Sequence, residues 1–204
     1  MKKILVLLFV GTIGLVQGQA SFQGNHSFEV YGGGPNFLKY DFFGLGPLTR
    51  PISTTSIPPC GLRYAYMISN DVSVGIDVMY NSFRESYIST DTFFVDNQWM
   101  YSESKYVDFR SRLRVQARFN FFLPISSPNV DSYIGFALGT NNRWEKQWVN
   151  DSLVVNKTST NLVTVPVSAR LCYGFRYFFS YNSALGAEVG VGGPLFSVQY
   201  TYKF

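Results

Sequence analysis

Residues 106–123, YVDFRSRLRVQARFNFFL, decide the fold. At a period of two, Val107, Phe109, Ser111, Leu113, Val115, Ala117, Phe119 and Phe121 form one set. Asp108, Arg110, Arg112, Arg114, Gln116, Arg118 and Asn120 form the other. Successive side chains of a strand point to opposite faces, so this stretch predicts one long strand with an apolar face and an arginine-rich face. Wound as a helix, the arginines would ring the whole circumference and leave no apolar stripe. Which face is inside sets the class. A soluble lipocalin-like barrel buries the apolar face, whereas an outer-membrane barrel turns it to lipid and lines its lumen with the polar one.

The remaining chain supplies the context. It opens MKKILVLLFVGTIGLVQGQA: two lysines, a mostly apolar run, then small residues at Gly18 and Ala20. That pattern predicts a secretory signal peptide over residues 1–18, cleaved at roughly 18–20, and a single domain over 19–204. No later apolar run is long enough for a spanning helix. Losing Lys2 and Lys3 lowers the formal charge from +4 to about +2, which argues against a nucleic-acid partner. Aromatic residues make up 18% of the chain and charged residues 15%, a balance that suits strands with aromatic girdles.

Alternation predicts further strands over 26–33, 61–69, 72–88, 132–148, 162–180, 183–191 and 194–204, with loops over 34–59, 89–105 and 149–161. With residues 106–123 that makes an all-β chain of eight antiparallel strands. Its connections alternate long and short, as in an up-and-down transmembrane β-barrel with short periplasmic turns. Pro166 is an objection to its strand, since proline cannot donate to a ladder. Glycine and alanine crowd the polar face at Ala65, Gly75, Gly135, Ala137, Gly139, Gly174, Gly186 and Gly190. The interior of an eight-stranded barrel barely holds its side chains, so small residues beside arginines place the polar face inside.

The chain resembles the small eight-stranded outer-membrane barrels of Gram-negative bacteria, the group of OmpX and the transmembrane domain of OmpA. The resemblance is architectural and covers nearly all of residues 19–204. Its most specific element is the end, FSVQYTYKF, which alternates aromatics and finishes on phenylalanine. It implies that Tyr200, Tyr202 and Phe204 act as the signal for the barrel-assembly machinery, and that the outer-membrane bilayer is the chain's surroundings.

The polar face then carries a predicted luminal charge network. Its members are Glu29, Arg63, Asp77, Glu85, Asp108, Arg110, Arg112, Arg114, Arg118, Arg143, Glu145, Arg170, Arg176, Glu188 and Lys203. Buried charges must be paired, so the preferred reading is a salt-bridged plug and a structural or interaction protein working through its loops. The alternatives are a narrow anion-leaning pore, since the arginines outnumber the acids, and a secreted carrier. The aromatic cluster Phe37, Leu38, Tyr40, Phe42, Phe43 and Leu45 is a candidate contact surface for an envelope or surface protein. Barrel enzymes of this kind resemble one another in placing His with Ser or Asp near the outer side. The sole histidine, His26, falls at the inner side, where it is expected to be solvated, so no enzyme is expected. Cys60 and Cys172 are expected to be free thiols, and with no Cys/His cluster neither a metal nor another cofactor is expected.

Overall fold

In the computed structural model, residues 21–40, 49–95, 98–125, 127–158 and 166–204 are described. The predicted signal peptide and the residues Phe42, Phe43 and Leu45 lie outside them. The strands are β1 (His26–Gly34), β2 (Thr49–Ser69), β3 (Val72–Val95), β4 (Gln98–Leu123) and β5 (Val130–Thr140). They continue as β6 (Asn142–Val149), β7 (Ser152–Thr158), β8 (Val167–Phe178), β9 (Ser183–Val191) and β10 (Phe196–Lys203). A single 3-10 turn covers Phe37–Tyr40.

Eight of these strands close into an antiparallel ring, β1-β2-β3-β4-β5-β8-β9-β10, sealed by β1 against β10. Closure leaves no unpaired edge within the ring. Among the described residues the β6–β7 hairpin joins the ring through β4 alone, extending the sheet formed by the upper parts of β2, β3 and β4.

The ring is inverted relative to a water-soluble protein. Along β10, Phe196, Val198, Tyr200 and Tyr202 are exposed, while Ser197, Gln199, Thr201 and Lys203 are buried. Along β8, Leu171, Tyr173, Phe175 and Tyr177 face out, and Arg170, Cys172 and Arg176 face in. The glycine-lined polar face is the interior.

Three stretches expected as loops differ. β2 begins at Thr49, so residues 49–59 extend the strand beyond the end of β1. Its alternation is masked by Pro58-Pro59, which cannot donate to a ladder and sit where the β2–β3 register shifts between Ile57 and Cys60. Residues 89–105 continue the β3–β4 ladder up to Val95 paired with Gln98. Runs such as Ser89-Thr90-Asp91 and Ser102-Glu103-Ser104 are polar on both faces, so they lack the period-two signal of a half-buried strand. Within 149–161 lie the turn and second strand of the β6–β7 hairpin, turned by Asn150 and Asp151 at φ 47° and 65°. Two consecutive positive φ values are those of a two-residue type I′ turn, for which Asn and Asp are among the tolerated residues.

Two further expectations are adjusted. The strand over 132–148 breaks at Asn141, whose N–H bonds the Pro166 carbonyl at 2.8 Å. Pro166 itself precedes β8, and positions 162–165 of the strand expected over 162–180 lie outside the described residues. His26 is not simply solvated. It lies on the outward face of β1, half-buried, with its ring 4.8 Å from Tyr66 and stacked at 5.7 Å on Phe204. Its Nδ1 is 2.6 Å from the Tyr64 hydroxyl. A flat imidazole at the end of a strand joins the aromatic rim rather than standing free of it.

Candidate functional site: a charge network inside the ring

Inward alternation on seven different strands brings the charged side chains together. Glu188 on β9 is the hub: it is 1% exposed and accepts two hydrogen bonds from Arg63, at 2.8 and 2.9 Å. Arg170 donates to it at 2.9 Å, the Tyr133 hydroxyl at 2.8 Å, and Arg118 through a very short contact. Arg63 also holds Asp77 through Nε at 2.9 Å and Glu29 through Nη1 at 3.2 Å. Tyr31 donates to the other Asp77 oxygen at 2.6 Å, and the Arg63 guanidinium lies 3.9 Å from the Tyr31 ring centre. Arg176 bonds Glu29 at 2.7 Å and reaches Asp131 at 3.3 Å. Gln199 bridges the middle, accepting from Arg63 and donating to the Tyr133 hydroxyl.

The arithmetic of charge balances. Four carboxylates (Glu29, Asp77, Asp131, Glu188) meet four guanidiniums (Arg63, Arg118, Arg170, Arg176) in one connected set of ion pairs. All eight are nearly inaccessible. Charges taken from water need this degree of mutual compensation. Glycine makes the room. A Cβ on Gly174 would stand 2.3 Å from the Tyr133 ring, and one on Gly135 2.7 Å from Arg118 and from the Cys172 sulfur.

The predicted network divides in two. Glu29, Arg63, Asp77, Arg118, Arg170, Arg176, Glu188 and Lys203 are buried inside the ring. Lys203 lies low in it, its ammonium 4.8 Å from the Phe178 ring centre and 5.1 Å from that of Tyr181. Arg114 lies half-buried at the upper end of the ring, donating to the Gly192 carbonyl at 2.7 Å. Glu85, Asp108, Arg110, Arg112, Arg143 and Glu145 sit half-buried on the extension, where Arg110 opposes Glu145 and Arg112 opposes Arg143. There, burial and the Asp108 carboxylate, 3.5 Å away, push the Tyr87 phenol above its usual pKa.

Sequence reading missed several members. Asp131 shares the parity of Tyr133 two residues on, but it falls before the expected start of its strand. Tyr31, Tyr133 and Gln199 are uncharged, so a search for charges passes over them. Asn36 was hidden in a presumed loop. Its amide donates to the carbonyls of Ile57 (2.9 Å) and Ser82 (2.8 Å), spanning the break made by Pro58-Pro59. Its oxygen accepts from Asn81 and from the Leu38 N–H. The result draws the start of the β1–β2 connection inward: Leu38 is buried, while Phe37 is exposed. Of the predicted aromatic cluster, only these two side chains are described. Cys60 and Cys172 are both free thiols, the first half-buried and the second buried.

No known protein family matches the chain by sequence, and no curated protein does. Solved structures share its trace at low identity. The N-terminal β-barrel domain of Pseudomonas aeruginosa OprF is 11% identical, with a TM-score of 0.43, over 90% of this chain and 100% of that one. Ail, the attachment invasion locus protein of Yersinia pestis, is 14% identical with a TM-score of 0.44, over 89% and 99%. The same protein bound to the heparin analogue sucrose octasulfate gives 14% and 0.43. At these values the architecture stands on the strand pairing described above, and that pairing is an eight-stranded antiparallel barrel.

Proposed function

We propose that the chain is a non-enzymatic integral outer-membrane barrel, held in lipid by its outward apolar face and closed to ions by its luminal network. It works as a structural or interaction protein through the sheet that extends beyond the ring. The carrying observation is the inversion: Arg63 and Glu188 are almost inaccessible inside the ring, while Val30, Leu171, Val189 and Val198 face out. In water that exterior would be one large apolar patch, whereas in a bilayer it is the matched surface.

The short connections between β2 and β3 and between β8 and β9 lie at the same end as the start of β1 and Phe204. In this reading that end is periplasmic, and the β3–β4 and β6–β7 hairpins stand outside the cell. Phe94, Trp99 and Tyr101 are exposed near the β3–β4 tip, a surface for adhesion or for docking to an envelope partner. The closed lumen favours the plug over the pore. Fractionation tests the reading: the protein should partition with the outer membrane and run as a heat-modifiable band. A protein that stays soluble without detergent would favour the carrier.

A further inference from the structure

The residues just before β1 form an ordered strap across the inner mouth. Gly24 and Asn25 are tied to Met67 on β2, and the Gln23 N–H bonds Asn70 in the β2–β3 turn at 2.9 Å. Phe22 lies over the Lys203 ammonium on β10, 5.6 Å away. Ser21 then reaches β5, its N–H 3.3 Å and its hydroxyl 2.8 Å from the two oxygens of Asp131. In the ring, β5 is the fourth neighbour of β1 in either direction, so the strap crosses from one wall to the opposite one. The strap bends once on the way, in a turn closed by the Asn25 N–H on the Phe22 carbonyl at 3.1 Å with Gly24 at φ 89°.

Asp131 is a buried carboxylate that already faces Arg176 at 3.3 Å, and Ser21 presents its backbone nitrogen to it. The residues preceding Ser21 read Gly18-Gln19-Ala20, with small side chains at the two positions a leader peptidase reads. We propose that the chain is cut between Ala20 and Ser21, and that the ammonium so created locks onto Asp131 and closes the inner mouth. This rests on the exported, outer-membrane reading given above. In the cut, water's hydroxyl goes to the Ala20 carbonyl carbon and a proton to the Ser21 nitrogen as the peptide bond breaks. A second proton taken up from solvent makes the nitrogen cationic. A neutral N–H···carboxylate bond thereby becomes a charge-assisted one.

The test begins with the protein extracted from the outer-membrane fraction, where intact mass and N-terminal sequencing should give Ser21 as the first residue. Absence from that fraction would defeat the parent reading; presence there with another first residue would defeat this one alone. The lock is then read from the acylation rate of the α-amine at neutral pH in detergent. Wild type should react about tenfold more slowly than Asp131→Asn, equivalent to about 1.4 kcal/mol. Should that variant fail to fold, a chain carrying one added residue before Ser21 keeps Asp131 intact but displaces the amine, and it should react at the faster rate. Equal rates in wild type and either folded variant would overturn the lock.

Discussion

Glu188→Gln removes one charge from the centre of the lumen while keeping the side chain's shape. In the wild type, four carboxylates balance four guanidiniums; the variant leaves three against four. Arg63 keeps Asp77 and Glu29, and Arg118 keeps Asp77, but Arg170 has no second carboxylate among the described residues. A guanidinium 1% exposed is thus left uncompensated. Breaking a buried pair from one side costs about 3–5 kcal/mol. With a urea slope near 3 kcal/mol per molar, the unfolding midpoint in detergent should fall by about 1–1.7 M. Glu188→Gln together with Arg170→Met restores neutrality and should recover part of that loss. An unchanged midpoint in the single variant would show that the network does not bear on stability and would refute the reasoning.

Other consequences follow from the same geometry. Leu171→Arg places a cation on the outward face and should cost about 2–4 kcal/mol in lipid vesicles, where a water-facing barrel would lose almost nothing. Gly174→Val drives a side chain into Tyr133 and should lower the yield of heat-modifiable barrel, with Gly174→Ala milder; equal yields would remove the close-packing argument. Asn36→Ala orphans the Ile57 and Ser82 carbonyls and should cost about 1–3 kcal/mol, read as faster hydrogen exchange at Leu38 with little change in the ring strands. Removing Phe204 should slow assembly into the outer membrane in cells while leaving refolding in detergent intact.

Much of the barrel was legible because each ring strand has one polar and one apolar environment. That contrast writes itself into residues 115–121 and the whole of β8 and β10 as strict alternation. Beyond the ring the contrast disappears. The upper β3–β4 hairpin has polar residues on both faces, and alternation has nothing to record there. The β6–β7 hairpin carried a different signal, the Asn150-Asp151 pair at the turn, which speaks through backbone φ rather than hydrophobicity. Within the lumen, parity predicts which side chains face in but not their height in a sheared ring. Arg63 and Glu188 meet across the lumen, although 125 residues separate them. Asn36 is legible only once the register break at Pro58-Pro59 is known, since what its amide satisfies is the Ile57 and Ser82 carbonyls beside that break.

A lipid-embedded barrel whose interior is filled by compensated charge should not conduct ions. The most direct test is single-channel recording of the refolded mature protein in planar bilayers, with folding verified by heat-modifiability. The wild type should be silent, with openings appearing only when the Glu188 hub is disrupted. Steady, ion-selective steps from the folded wild type would contradict this.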